Sequence, residues 1–86
     1  MPELCRFYGI IIRMYFLDHN PPHFHAEYQG HRAEFDIRTL DLIAGSLPNR
    51  AHALVLEWAA AHKHELLLNW EAATNAKPLY PIAPLP

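Results

Sequence analysis

One cysteine in 86 residues excludes an internal disulfide. A lone Cys5 fits a reducing compartment, and the cytoplasm is the expected one. Long hydrophobic runs are missing as well. The apolar stretch 9–16 is too short to span a bilayer, carries Arg13 at its middle and has no small-residue cleavage site behind it. Neither a signal peptide nor a membrane anchor is therefore expected. Charge of one sign is absent too: seven Lys and Arg stand against nine Asp and Glu, a formal net charge of −2. That balance makes no field to gather polyanions, so nucleic acid enters only as the substrate of a specific site. No Gly-rich phosphate loop, CxxC, GxSxG or HExxH occurs.

What the chain does have is an apolar fraction of 51% with 12% aromatics, enough for one core. A chain this short buries only roughly 60–65% of its unfolded surface, so a second core is excluded. One layer of sheet and one of helix is the natural solution. A single helix covers one sheet face, which leaves the other to water or a partner. Seven histidines are the compositional oddity, and they titrate near pH 6–7 when unperturbed.

The fold class read from the pattern is α+β: an antiparallel three- to four-stranded meander followed by one long C-terminal helix packed on one sheet face. Residues 6–16, rich in β-branched and aromatic types, predict the first strand, with Tyr8, Ile10, Ile12, Met14 and Phe16 on one side. Asp18-His19-Asn20-Pro21-Pro22 predicts a loop, because Asn-Pro and Pro-Pro interrupt a ladder. Residues 23–29 alternate cleanly: Phe24, Ala26 and Tyr28 face one way, His23, His25 and Glu27 the other. Gln29-Gly30 is a two-residue turn, and 32–38 forms the next strand with Ala33, Phe35 and Ile37 apolar. A short fourth strand at 40–44 is a candidate.

The turn fixes the register. Ala26 opposes Ala33 and Phe24 opposes Phe35 on the core side, while Glu27 meets Arg32, His25 meets Glu34 and His23 meets Asp36 on the polar side. Opposed pairs of this kind contribute roughly 0.2–1 kcal/mol each, and a one-residue slip would drive the charges into the core. From Pro48 to about residue 75 the sequence turns helical, with no internal Gly or Pro and an apolar face through Ala51, Val55, Trp58 and Leu66. The proline-rich tail, 77–86, is expected to lie extended against the far end of that helix or against a second subunit.

The sharpest constellation is Pro21-Pro22-His23-Phe24-His25. Histidines two apart on a strand share a face, roughly 6–7 Å apart at Cα. That spacing suits chelation of a divalent metal such as zinc by His23 and His25, with Glu34 or Asp36 completing the shell. The same four residues, His23, His25, Glu34 and Asp36, suit acid–base chemistry, since a carboxylate opposite an imidazole fixes its tautomer. A solvated face of weak His–carboxylate pairs stands beside both readings. Arg13, the one charge among isoleucines, requires a carboxylate, with Glu27 or Asp36 in reach; holding an anionic group such as phosphate is the alternative. Tyr15 donates a hydrogen bond in either case. His52, His62 and His64 form no ligand set on a helix, and His62 with Glu65 reads as an i,i+3 surface pair.

The runs Arg6-Phe7-Tyr8-Gly9-Ile10, Asp18-His19-Asn20-Pro21-Pro22-His23-Phe24-His25-Ala26-Glu27-Tyr28, Gly45-Ser46-Leu47-Pro48, and Trp58 with Glu65-Leu66 and Asn69-Trp70 together resemble the small bacterial family called domain of unknown function 4160. The resemblance covers nearly the whole chain. It implies a gene neighbourhood similar to a toxin–antitoxin pair, with this chain in the toxin-like role and a small protein from the neighbouring gene as its partner. Two functions are therefore expected: the effector of such a module, working at His23 and His25, or a non-catalytic module that docks a small protein. The bare sheet face and overlong helix favour a homodimer.

Overall fold

A computed structural model of the chain describes residues 2–86. Five strands form one antiparallel meander in sequence order: β1 (Glu3–Phe7), β2 (Ile10–Arg13), β3 (His23–Tyr28), β4 (His31–Asp36) and β5 (Leu42–Gly45). Two helices follow, α1 (Asn49–Ala61) and α2 (Lys63–Thr74).

The expected single strand at 6–16 is thus a hairpin, β1 and β2, joined by Tyr8-Gly9. Both turn residues have positive φ, 50° and 79°, as a two-residue hairpin turn with the sheet's own twist requires. A bulky tyrosine in the left-handed region masks that signal. Phe7 pairs with Ile10 and both enter the core, while Phe16 lies beyond the strand and is exposed. The β3–β4 register matches the sequence pairing at every predicted position, from His23 opposite Asp36 to Glu27 opposite Arg32. Gln29 and Gly30 make its turn, again with positive φ at both. β5 takes the place of the candidate strand at 40–44. Its Gly45 has no substitute: a Cβ there would sit 2.1 Å from the Arg32 carbonyl oxygen on β4.

The core lies between the even-numbered face of β2 and β3 and the helices. Ile10, Ile12, Phe24, Ala26, Ala33, Phe35 and Ile37 are all buried, with Phe24 stacked on Phe35 and edge-on to Trp58. The expected helix 48–75 is broken at His62, whose φ of −125° leaves the helical region. Its N–H reaches back three residues to Ala59, and its carbonyl accepts from Leu66 to start α2. One straight helix would overrun the short sheet. The break lets each half bury its own stripe, Ala51, Val55, Trp58 and Ala59 on α1 and Leu66, Asn69, Trp70 and Ala73 on α2. The tail docks on its own chain: Ile82 donates its N–H to the Leu4 carbonyl of β1. No helix among the described residues is long and apolar enough to cross a membrane.

Candidate functional site

Strand alternation carries His23 and His25 to the side of the sheet away from Phe24 and Ala26, and their rings lie 5.1 Å apart. Their surroundings differ. His25 is half-buried, with Tyr15 edge-on at 4.5 Å. His23 is only 2% exposed, closed over by the Trp70 indole of α2 at 5.2 Å and by His19 of the preceding loop.

The carboxylate that joins them is Asp18. Its Oδ2 lies 3.0 Å from His23 Nε2 and 3.4 Å from His25 Nε2, while its Oδ1 accepts the His19 backbone N–H at 2.8 Å. Burial works against the Asp18 charge, but the His19 N–H and the imidazoles of His25, His23 and His19 outweigh it and hold the carboxyl below its ordinary range. Glu34 stands next to this trio, with Oε1 3.5 Å from His23 Nε2.

Tautomer follows from the backbone. The Pro21 carbonyl can only accept, so the His23 Nδ1 at 2.8 Å must carry the proton. That leaves Nε2 as the functional atom of the ring. It is fully buried, and no described group meets it in hydrogen-bonding geometry. Asp18 Oδ2 at 3.0 Å and Glu34 Oε1 at 3.5 Å are within ion-pair distance of it without forming a hydrogen bond. A buried polar atom without a partner costs roughly 1–3 kcal/mol. An imidazole anchored by Nδ1–H to a carbonyl, with Nε2 facing a second imidazole and a carboxylate, is the arrangement of a metal-ligating histidine. Asp18, His23 and His25 offer ligand atoms that all lie within 4.8 Å of one another. Two histidines and one carboxylate suit zinc or another first-row divalent ion and leave coordination positions open.

Asp36 does not join. It opposes His23 along the ladder, but its Oδ1 accepts the backbone N–H groups of Arg38 and Thr39 at 2.7 and 3.0 Å and closes the β4–β5 turn. Two fixed donors outcompete one imidazole. Arg13 is ion-paired with Glu27 at 3.1 Å, diagonally across β2 and β3. A cleft beside His25 is lined by Tyr15, Glu27, Arg32, Glu34 and Ala44, so two of the three expected binding residues, Tyr15 and Glu27, line it, while Arg13 does not. Cys5 is buried, and burial pushes its thiol up, away from reactivity. Sequence reasoning missed Asp18 as a site residue. Its signal was the Asp-His-Asn-Pro-Pro loop just before the His-x-His strand.

The chain matches one family model, described as a domain of unknown function (DUF4160), over residues 9–71. No curated protein and no solved structure matches it. The matched span runs from the β1–β2 turn into α2 and includes Asp18, His23, His25, Glu34 and Trp70, whereas the tail lies outside it. The chain belongs to the DUF4160 family.

Proposed function

We propose that this chain is a metal-dependent effector whose centre is a divalent cation, zinc by preference, held by Asp18, His23 and His25. The observation that carries the reading is the buried, unpartnered Nε2 of His23, turned toward Asp18 and His25 by a proton fixed on the far side of its ring. A cation there would supply Lewis-acid activation of a water or a substrate oxygen. Glu34, partly exposed and outside the trio, is the base positioned to take a proton from such a water. Tyr15 and the Arg13–Glu27 pair border the approach along the open face. Within a two-gene module, this centre is the harmful activity that the partner restrains.

Zinc titration with a thermal-shift readout tests the centre. The wild-type chain is expected to gain stability with added zinc, and a His23→Ala/His25→Ala double variant to gain none. Equal responses of the two would remove the metal. Growth on induced expression tests the effector role: the same double variant, still folded, is expected to lose all toxicity.

A binding module is the second reading, and one feature favours it. β5 is one of the two edge strands, all four of its residues are exposed, and Leu42 and Ile43 are 41% and 44% accessible. Such an edge invites strand addition by a partner. Under this reading Ile43→Lys abolishes co-purification with the product of the neighbouring gene, while zinc has no effect.

A further inference from the structure

The cleft beside His25 has a volume of about 390 Å³, and His25 itself lines it, so it opens onto the trio. Arg32 on β4 is the permanent cation among its lining side chains. The ladder sets Arg32 directly opposite Glu27, the carboxylate that would ordinarily neutralise it. That carboxylate is already taken: Glu27 accepts from Arg13 Nε at 3.1 Å, on the β2 side. Glu34, the other acid of the cleft, turns toward the trio, with Oε1 3.5 Å from His23 Nε2. Among the described residues Arg32 makes no ion pair and no side-chain hydrogen bond. Its backbone is fixed nonetheless, because its carbonyl accepts the Ser46 N–H at 3.0 Å beside β5. The neighbouring wall is Ala44 and Gly45, too small to cover the guanidinium, and Arg32 is exposed.

We propose that this cleft receives the phosphate group of a small phosphomonoester, held by Arg32 at one end and by the cation of the Asp18–His23–His25 centre at the other. This pairing of arginine and cation rests on the metal centre proposed above and gives that centre its substrate class. His25 opposes Glu34, so Arg32, two residues along β4, is its diagonal neighbour on the same face. Diagonal neighbours stand roughly 7–8 Å apart, a gap that an arginine side chain spans. A guanidinium presents parallel N–H donors that match two oxygens of a phosphate, and the match is planar and charge-assisted. A phosphomonoester has three terminal oxygens, two for that fork and one for the cation. A carboxylate or a phosphodiester has only two and must give up a contact. The charges agree as well: Glu27 is offset by Arg13, and a divalent ion together with Arg32 outweighs Asp18 and Glu34. A polynucleotide fits less well. Holding a strand takes several phosphate contacts, and Arg32 is the one guanidinium that the described residues bring to the cleft, on a chain of net charge −2.

Calorimetric titration of the zinc-loaded full chain with phenylphosphonate, which keeps three terminal oxygens and whose C–P bond resists hydrolysis, tests it. The wild-type chain is expected to bind this probe, and to bind benzoate about tenfold more weakly. Arg32→Ala is expected to weaken phenylphosphonate binding by about tenfold or more while zinc affinity stays unchanged. Arg32→Lys is expected to lose less, since the charge returns without the fork. Zinc taken up normally with phenylphosphonate not held, or held equally by the Arg32→Ala chain, overturns the proposal and leaves the metal centre standing. A wild-type chain that takes up no zinc removes the centre and its substrate class together. Tighter binding of a short single-stranded RNA than of phenylphosphonate also overturns the proposal, since the ligand would then be a polynucleotide.

Discussion

His23 and His62 each stand within ion-pair distance of a carboxylate, and each lies against a tryptophan. His62 meets Glu65 through Nδ1 at 2.5 Å, one turn along the chain, with Trp58 at 5.4 Å. That pair is open to water, which satisfies whatever the two groups leave unmet. His23 meets Asp18 and Glu34 under the Trp70 indole, with Nδ1 already committed to a backbone carbonyl. That nitrogen is closed off from bulk solvent and makes no hydrogen bond, which costs free energy unless something binds it. The same residue types, at similar distances, make a surface contact in one place and a buried cluster, the candidate ligand site, in the other. Solvent access is what separates them.

The comparison breaks most readily at His23. His23→Ala is expected to weaken zinc binding by more than about a hundredfold, read by competition with a chromophoric chelator. An unchanged affinity would make His23 no more a ligand than His62. Next in size is the clamp on the other side of Trp70's helix. Asn69→Leu leaves the Tyr80 N–H and carbonyl unpaired and is expected to destabilise the fold by about 1–3 kcal/mol in urea titration at fixed protein concentration.

A smaller effect belongs to Asp36, which sharpens the contrast because it looked like a site residue and serves a turn. The N–H groups of Thr39 and Arg38 hold its carboxyl below the ordinary aspartate range. A depressed folded pKa means that its contribution is complete above the unfolded value, near pH 4, and disappears as pH falls through the folded value. Asp36→Ala is therefore expected to lower stability at neutral pH and to flatten the acid limb of the stability profile below about pH 4. The smallest change is expected for His62→Ala, within about 0.5 kcal/mol by thermal unfolding and with zinc affinity intact.

The middle hairpin was fully legible because two independent signals agree there: strict alternation and a Gln-Gly turn. The sidedness of His23 and His25 came with it. The β1–β2 turn was hidden because Tyr8 gives no propensity signal for positive φ, although Gly9 beside it does. The break at His62 had no Gly or Pro to announce it; it arises from the mismatch between helix length and sheet width, which only the assembled layers impose. Asp18 was legible as a loop residue, but its reach to both imidazoles depends on the path of the loop. Burial of His23 by Trp70 joins residues 47 positions apart, beyond any local pattern.

Asn69 and Trp70 are consecutive on α2, yet they serve different tenants: one clasps the tail at Tyr80, the other roofs His23. Neighbours on a helix point about 100° apart around its axis, so any roll of α2 moves both together. The two attachments are geared. A cation that stiffens His23 should also quiet the hydrogen exchange of Tyr80, on the opposite flank of the same turn.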